Sequence, residues 1–249
     1  MKWLALILVA LGLAGCASDP GAPDDPARAQ NIAKARTELA ASYFERAQYG
    51  VALEEVAKAI RADSGYAPAY NVRGLVNMAL QDDEEAESDF KRSLRLDSGY
   101  SDARNNYGWF LCQRGREGEA VKQFMQAAKD PLYTTPEKAY LNAGLCSRKA
   151  GRLQDATMYL QRALTLQPEM PEALIGMANV AFVSGDYPSA KSYFKRYEKT
   201  AIPLTAENLL LAVRVEYKLG NRNEGAVYAA KLRKSFPDSR EAIILGQIR

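Results

Sequence analysis

The side chains that most often carry protein chemistry are scarce in this sequence of 249 residues. It contains three cysteines, Cys16, Cys112 and Cys146, and no histidine. Without histidine, the chain cannot form a serine–histidine–aspartate triad, a cysteine–histidine dyad or a zinc site with imidazole ligands. The cysteines also lack the Cys-x-x-Cys spacing of redox-active thiols. Their chemistry is therefore expected to be covalent modification, disulfide formation or simple burial.

Other catalytic signatures are missing from the sequence as well. It has neither a Gly-x-Ser-x-Gly motif nor a glycine-rich phosphate-binding loop. A carboxylate, lysine or tyrosine could still catalyse a reaction, but no such residues stand in a recognisable pattern. With 33 basic and 30 acidic residues, the formal net charge of +3 gives no reason to expect a nucleic-acid ligand. We predict a non-enzymatic binding protein without cofactor, metal ion or small-molecule substrate.

Cys16 ends an apolar N-terminal stretch. Residues 4–15 carry no charge and are fewer than the roughly 20 residues of a membrane-spanning helix, so 1–15 fits a signal peptide. The residues that precede the cysteine, Leu13-Ala14-Gly15, resemble with it the lipobox of bacterial lipoproteins, which implies cleavage before Cys16 and its lipidation. Because Ala17 is not the aspartate that resembles an inner-membrane retention signal, the expected location is the outer membrane, with the protein facing the periplasm.

An ordinary cleaved signal peptide or a buried helix would also explain the apolar stretch, and the lipobox-like residues favour lipidation. Residues 16–32 are predicted to be the lipidated cysteine and a flexible tether, because 17–27 contain three prolines and no apolar period.

Small residues recur at a fixed spacing along the rest of the chain. One set is Gly74, Gly108, Gly144 and Ala178, and a second set lies twelve residues later at Ala86, Ala120, Ala156 and Ala190. Large apolar residues stand four positions after the second set, at Phe90, Phe124, Leu160 and Phe194. The period is 34 residues, or 36 between the second and third members. The pattern resembles the tetratricopeptide repeat, in which small residues let antiparallel helices approach closely.

This frame predicts an all-α tetratricopeptide-repeat superhelix of about six helix-turn-helix units. The repeats are 33–66, 67–100, 101–136, 137–170, 171–204 and a degenerate sixth at 205–238. The two extra residues of the third repeat fall in 130–136, where two prolines exclude a continuous helix. Residues 239–249 have apolar residues at helical spacing and are predicted to form a capping helix.

Cys112 and Cys146 are separated by 34 residues and lie late in the first helices of neighbouring repeats. An exported chain enters an oxidising compartment, where two adjacent thiols tend to form a disulfide. We predict this disulfide between the third and fourth repeats. Two buried thiols that pack as small apolar side chains are the alternative.

In the repeat family, the first helices line the concave face of the superhelix, and fixed positions of each repeat contact partners. Carried over to this sequence, these positions predict a partner-binding groove that is lined by Asn71, Leu75, Met78, Asn105, Trp109, Leu141, Leu145 and Arg148. Equivalent positions hold Cys112, Ile175, Asn179 and Phe182. Because asparagine can pair with a peptide main chain, an apolar helix or an extended segment is the expected ligand.

Some of these side chains have another interpretation. Leu75, Leu141 and Leu145 could belong to the core between repeats. Trp109 is expected to be exposed, because its neighbours Tyr107, Gly108 and Leu111 already fill the core positions of the third repeat.

The third repeat, the loop that follows it and the start of the fourth repeat resemble one particular family of repeat proteins. The segments 105–112 (Asn-Asn-Tyr-Gly-Trp-Phe-Leu-Cys), 130–133 (Asp-Pro-Leu-Tyr) and 142–146 (Asn-Ala-Gly-Leu-Cys) resemble the type IV pilus biogenesis and stability lipoproteins, the PilF/PilW pilotin family. The resemblance covers the lipobox, the repeats and the extended loop. It implies a non-catalytic outer-membrane lipoprotein that assists localisation or multimerisation of the pilus secretin, or stabilises pili. A lipid-anchored repeat adaptor for another envelope assembly process is the alternative.

Overall fold

The computed structural model describes residues 25–247, and this part of the chain folds into α-helices without any strand. The all-α prediction is confirmed. The predicted signal peptide, the lipobox-like residues and Cys16 lie outside the described residues.

The helices of this part form six consecutive pairs and one final single helix. The pairs are α1 (Pro26–Glu45) with α2 (Tyr49–Ala62), α3 (Ala67–Ala79) with α4 (Asp83–Leu96), α5 (Ser101–Gln113) with α6 (Glu117–Ala128), α7 (Pro136–Lys149) with α8 (Leu153–Leu166), α9 (Pro171–Val183) with α10 (Tyr187–Lys199), and α11 (Ala206–Lys218) with α12 (Arg222–Ser235). The single helix, α13 (Arg240–Gln247), lies within the predicted cap.

The first helix begins earlier than the sequence pattern predicts. The sequence pattern places residues 26–32 in the tether, but they form the start of α1. Asp25 is the N-cap, since its carboxylate accepts a hydrogen bond of 3.0 Å from the amide of Ala27. Pro26 occupies the first turn, where a missing amide hydrogen has no cost. The prolines that suggested a tether thus include one that starts a helix.

The repeating small residues allow the two helices of each pair to pack closely. A Cβ atom added to Gly108 would lie 2.7 Å from Cε1 of Phe124, and one added to Gly144 would lie 2.6 Å from Cγ of Leu160. Both distances are far shorter than a van der Waals contact, so the large apolar residue of the second helix fills the space left by the glycine. The spacing of small and large residues therefore sets how each pair packs.

The break between the third and fourth repeats is a loop over residues 129–135. Asp130 fixes its shape: the carboxylate accepts hydrogen bonds from the Ser101 hydroxyl at 2.6 Å and from the Leu132 amide at 2.9 Å. Tyr133 is buried, whereas the Leu132 side chain is 86% exposed. The helices are thus interrupted where expected, with Pro131 inside the loop and Pro136 at the first position of α7, and side-chain hydrogen bonds order the loop.

Contacts between helices define an inner and an outer side. Each odd-numbered helix, from α1 to α11, contacts the next odd-numbered helix. Within residues 25–247, no such contact joins two successive even-numbered helices. The odd-numbered helices are therefore crowded together on the inner, concave side, and the even-numbered helices are spread along the outside, as in a repeat superhelix.

Charged side chains join the second repeat to the third. The Glu87 carboxylate accepts hydrogen bonds from the Tyr107 hydroxyl at 2.8 Å and from Arg116 at 2.9 Å, and it pairs with Lys91 at 2.8 Å. Burial alone would raise the pKa of Glu87, but the bonds from Lys91, Arg116 and Tyr107 outweigh it and lower the pKa to about 2. Glu87 is therefore ionised at neutral pH and bridges the two repeats.

Candidate partner-binding groove

The inner surface carries a row of large apolar side chains that are only partly buried. Leu75, Met78 and Trp109, from α3 and α5, pack with one side against the core of the second and third repeats. Leu145 on α7 packs in the same way against the core of the C-terminal repeats. Since all four keep part of their surface exposed, they form an apolar strip along the concave side, at positions that the sequence predicts for the groove.

Asn71 and Asn105 are buried between the inner helices and are not available to a ligand. Their side chains are 4% and 8% exposed. Oδ1 of Asn71 accepts a hydrogen bond of 3.1 Å from Nδ2 of Asn106, and Oδ1 of Asn105 accepts one of the same length from Nδ2 of Asn142. The structure therefore gives these two predicted groove residues a role in joining successive repeats.

Tyr100 lies close to Asn71. Burial and the nearby carboxylate of Asp102 raise the pKa of Tyr100 to about 12, and a hydrogen bond from Asn71 partly opposes this shift. The hydroxyl of Tyr100 is therefore protonated at neutral pH.

Asn106 and Asn142, the partners of the two buried asparagines, reach the surface. Both are half-buried in the middle of their helices. Asn106 follows the predicted position Asn105, and Asn142 follows the predicted position Leu141. Successive residues of a helix point about 100° apart, so the rotation of the helix about its axis decides which of two neighbours faces outward. The sequence shows the adjacent pair Asn105-Asn106, but it does not show that Asn105 is buried while Asn106 is half-exposed.

Three other predicted groove positions have different surroundings. Leu141 is 7% exposed and belongs to the C-terminal core, which agrees with the core interpretation of this residue. Cys112 is buried. Arg148 is exposed at the end of α7, where its charge is favourable for the helix dipole.

The structure joins Cys112 and Cys146 through a disulfide, with Cα atoms 5.9 Å apart. This separation is usual for disulfides. The bond links the inner helices α5 and α7, so the two cysteines predicted to pair are brought together. Their oxidation in the mature protein stays a prediction, which a thiol measurement tests.

The inner side ends in a cleft of about 310 Å³ between α9, α11 and α13. Asn179 and Phe182, two of the predicted positions, line it together with Leu210, Leu211 and Ile244. Nearby Val183 is 64% exposed. The cleft depends on where α13 lies, which the sequence pattern does not indicate.

Two further observations concern the whole described part. No group of three or more cysteine or carboxylate side chains in residues 25–247 is placed to hold a metal ion. Over the same residues, no helix combines the length and apolar character needed to cross a membrane.

Family models of the tetratricopeptide repeat match residues 37–101, 84–134 and 147–201, which confirms the repeat assignment. A crystal structure of PilW, described as a widely conserved type IV pilus biogenesis factor, is similar with a TM-score of 0.80 and 33% sequence identity. The similarity covers 86% of this chain and 98% of the PilW chain. The chain belongs to the PilF/PilW family.

A second member of the PilF/PilW family gives the same result over nearly the whole chain. The type IV pilus assembly protein PilF of Pseudomonas aeruginosa is 26% identical over 238 residues, which are 95% of this chain and 94% of PilF. A solved structure of P. aeruginosa PilF, 24% identical, has the same fold, with a TM-score of 0.81 over 88% of this chain and 99% of that one. The resemblance seen in the sequence is therefore confirmed.

Proposed function

We propose that this protein acts in type IV pilus biogenesis as a lipid-anchored scaffold. In this proposal it faces the periplasm from the outer membrane and holds a segment of the pilus secretin, or of another pilus assembly protein, in its concave groove. Membership of the PilF/PilW family supports the pilus role. The observation that carries the binding role is the strip of half-exposed apolar side chains at Leu75, Trp109 and Leu145.

The proposed anchor is Cys16. Its support is the lipobox-like sequence Leu13-Ala14-Gly15-Cys16 and the apolar stretch before it. Each buried methylene of an acyl chain contributes about 0.8 kcal/mol to membrane attachment, and more than one chain makes the attachment lasting. The repeats would then stay at the membrane surface, connected by the residues between Cys16 and the start of α1 at Pro26.

The proposed mechanism is binding without catalysis. A rigid array needs only a shaped surface to position a partner, and side chains of the inner helices supply it through apolar contacts and amide hydrogen bonds. The sequence contains no histidine, the side chain that most often acts as a general acid or base.

A capture experiment tests the proposal. Residues 17–249, exported without lipid, are immobilised and exposed to envelope extracts of the source bacterium; this fragment keeps the Asp25 cap of α1. We expect capture of the secretin or another pilus assembly protein, weakened by Trp109→Ala. Val227→Ala on the outer helix α12, where Val227 is 56% exposed, is the matched control. Capture of envelope proteins unrelated to pili would overturn the pilus role and favour the alternative adaptor.

A further inference from the structure

The outer helices change their charge from one end of the array to the other. The helices α4 and α6, in the second and third repeats, together carry seven acidic and four basic residues. The helices α10 and α12, in the fifth and sixth repeats, together carry eight basic and two acidic residues. Because the chain as a whole has a net charge of only +3, positive charge is concentrated on the outer side of the last two repeats.

Two carboxylates near these helices are already neutralised inside the protein. Glu216, on α11, is buried and accepts hydrogen bonds from Lys191 at 2.8 Å and from Asn221 at 2.7 Å. Glu198, on α10, pairs with Lys195 at 2.8 Å. Five other basic side chains of α10 and α12 are exposed and have no ion-pair partner within residues 25–247, and we call them the basic face: Lys199, Arg222, Lys231, Arg233 and Lys234. The second acidic residue of the two helices, Glu224, is exposed and offsets only one of these five charges.

The charges of α10 and α12 adjoin each other on the surface. The ring of Tyr228, on α12, contacts the ring of Phe194, on α10, with centroids 5.7 Å apart. Nζ of Lys195 lies 5.2 Å and Nζ of Lys231 lies 5.7 Å from the centroid of the Tyr228 ring. The two helices thus place ammonium groups around one buried tyrosine, so their charges act on the same region outside the protein.

Helix stability accounts for only part of the basic face. A positive charge in the last turn of a helix is favourable, and Lys199, Arg233 and Lys234 lie in the last turns of α10 and α12. Arg222, however, is the first residue of α12, where a positive charge is unfavourable. An anionic ligand accounts for the positive charge at both ends of this helix.

The character of the basic face indicates the kind of ligand. Val227, on α12, is 56% exposed, and Lys231 and Lys234 follow it by four and seven residues, on the same side of the helix. Interfaces between proteins depend on well-packed, desolvated anchor residues, whereas these cations are exposed and end long, flexible chains. A phospholipid surface offers many anionic groups without fixed positions and accepts apolar side chains among its headgroups. The basic face therefore fits a lipid surface better than an acidic protein.

We propose that the basic face binds the phosphate groups of an anionic phospholipid membrane surface, with Val227 among the headgroups. A lipid on Cys16 would attach the array beside α1, at the other end of the row of repeats, so the two attachments would lay the array along the membrane. The proposal goes beyond the proposed function, because it requires neither Cys16 nor a pilus protein. Since salt weakens the attraction, the basic face orients the array and leaves lasting attachment to the lipid.

Vesicle binding tests the proposal. Residues 17–249, which contain every described helix and lack Cys16, are sedimented with vesicles of phosphatidylglycerol mixed with phosphatidylcholine, or of phosphatidylcholine alone. We expect binding only to the vesicles with phosphatidylglycerol. Binding should weaken when the salt concentration rises from about 0.01 M to about 0.15 M, which shortens the Debye length from about 30 Å to about 8 Å. Because no pilus protein is present, the result is independent of the proposed function.

Protein variants then locate the binding. Lys231→Gln/Arg233→Gln/Lys234→Gln should weaken binding to the anionic vesicles about a hundredfold, because each basic residue near such a surface contributes about fivefold. The matched control removes the same charge from three exposed lysines around the third repeat and should keep most of the binding: Lys122→Gln/Lys129→Gln/Lys138→Gln. Circular dichroism checks that both variants are folded. Lys231→Arg/Lys234→Arg keeps the charge and should bind like wild type.

A fluorophore on α12 shows whether this helix touches the lipid. Val227→Cys and Ser88→Cys, on the outer helices α12 and α4, each carry an environment-sensitive dye; Ser88 is exposed. With anionic vesicles we expect the emission to shift to the blue at position 227 and to stay unchanged at position 88. The proposal is overturned if the anionic vesicles do not bind, if both triple variants lose binding equally, or if the dye at position 227 does not respond. Self-association that Lys231→Gln/Arg233→Gln/Lys234→Gln abolishes, without vesicle binding, would assign the basic face to a second copy of the chain instead.

Discussion

Nζ of Lys149 donates a hydrogen bond to the main-chain oxygen of Cys112, 3.0 Å away. The ammonium group of Lys149, on α7, therefore lies at the C-terminal end of α5. The last carbonyl groups of a helix have no partner in their own helix, and a positive charge there is favourable. The disulfide between Cys112 and Cys146 joins the same two helices nearby. A covalent bond and a charged hydrogen bond thus hold the third and fourth repeats together on the concave side.

The disulfide should contribute to stability. Closing a loop of 34 residues is expected to raise the free energy of unfolding by about 3–4 kcal/mol. We expect no reactive thiol at Cys112 or Cys146 in the mature protein under non-reducing conditions, and a lower melting temperature after reduction. The double variant Cys112→Ala/Cys146→Ala is the control, because its melting temperature should not respond to reductant. Two reactive thiols in the native protein would contradict the bond.

Gly144 should not tolerate a methyl group. In an open helix, replacing glycine by alanine stabilises by up to about 1 kcal/mol, but here the new Cβ would lie 2.6 Å from Cγ of Leu160. We expect Gly144→Ala to lower the free energy of unfolding by about 1–3 kcal/mol, measured by urea denaturation. Gly118→Ala in α6, with no atom within 4 Å of the new Cβ, should be neutral or stabilising. An unchanged free energy of unfolding in Gly144→Ala would show that α7 and α8 pack less closely than described.

Glu87 should make stability depend on pH in the acid range. Its pKa is lowered to about 2 in the folded protein, below the value of about 4.3 for an unperturbed glutamate. A lowered pKa stabilises the folded state above the unfolded pKa, and this contribution is lost as the pH falls from about 4.5 towards 2. We expect Glu87→Gln to cost about 1–2 kcal/mol at pH 7, a value reduced for partial solvent screening, and the difference from wild type to vanish near pH 2.

Chemical denaturation at several pH values measures this difference. Glu84→Gln is the control, because Glu84 is exposed on the same helix and should not change the acid limb of the profile. A constant difference between Glu87→Gln and wild type from pH 7 to pH 2 would exclude the bridge to Arg116 and Tyr107.

Much of this fold could be predicted from local spacing, because each helix pair is determined by contacts within about 34 residues. A glycine on the first helix that faces a phenylalanine or leucine on the second determines how the two helices pack, whatever the rest of the chain does. The sequence does not indicate the start of α1, because the prolines of 17–27 are typical of a tether and do not distinguish it from a helix that begins after an N-cap at Asp25. For the groove, the sequence indicates the inner helices and Trp109. It could not show that Asn105 is buried while Asn106 is half-exposed, because that depends on how one repeat rotates against the next.

A deletion strain shows whether the protein is a lipid-anchored scaffold for type IV pilus assembly. The strain is complemented with wild type, with Cys16→Ala, or with Ala17→Asp, which keeps the cysteine but introduces the residue that resembles an inner-membrane retention signal. Secretin multimers in outer-membrane fractions and piliation are measured together. We expect wild type to restore both, Cys16→Ala to be released from the membrane and to mislocalise the multimers, and Ala17→Asp to remain with the inner membrane. Unchanged secretin multimers and piliation in the deletion strain would exclude a role of this protein in pilus assembly.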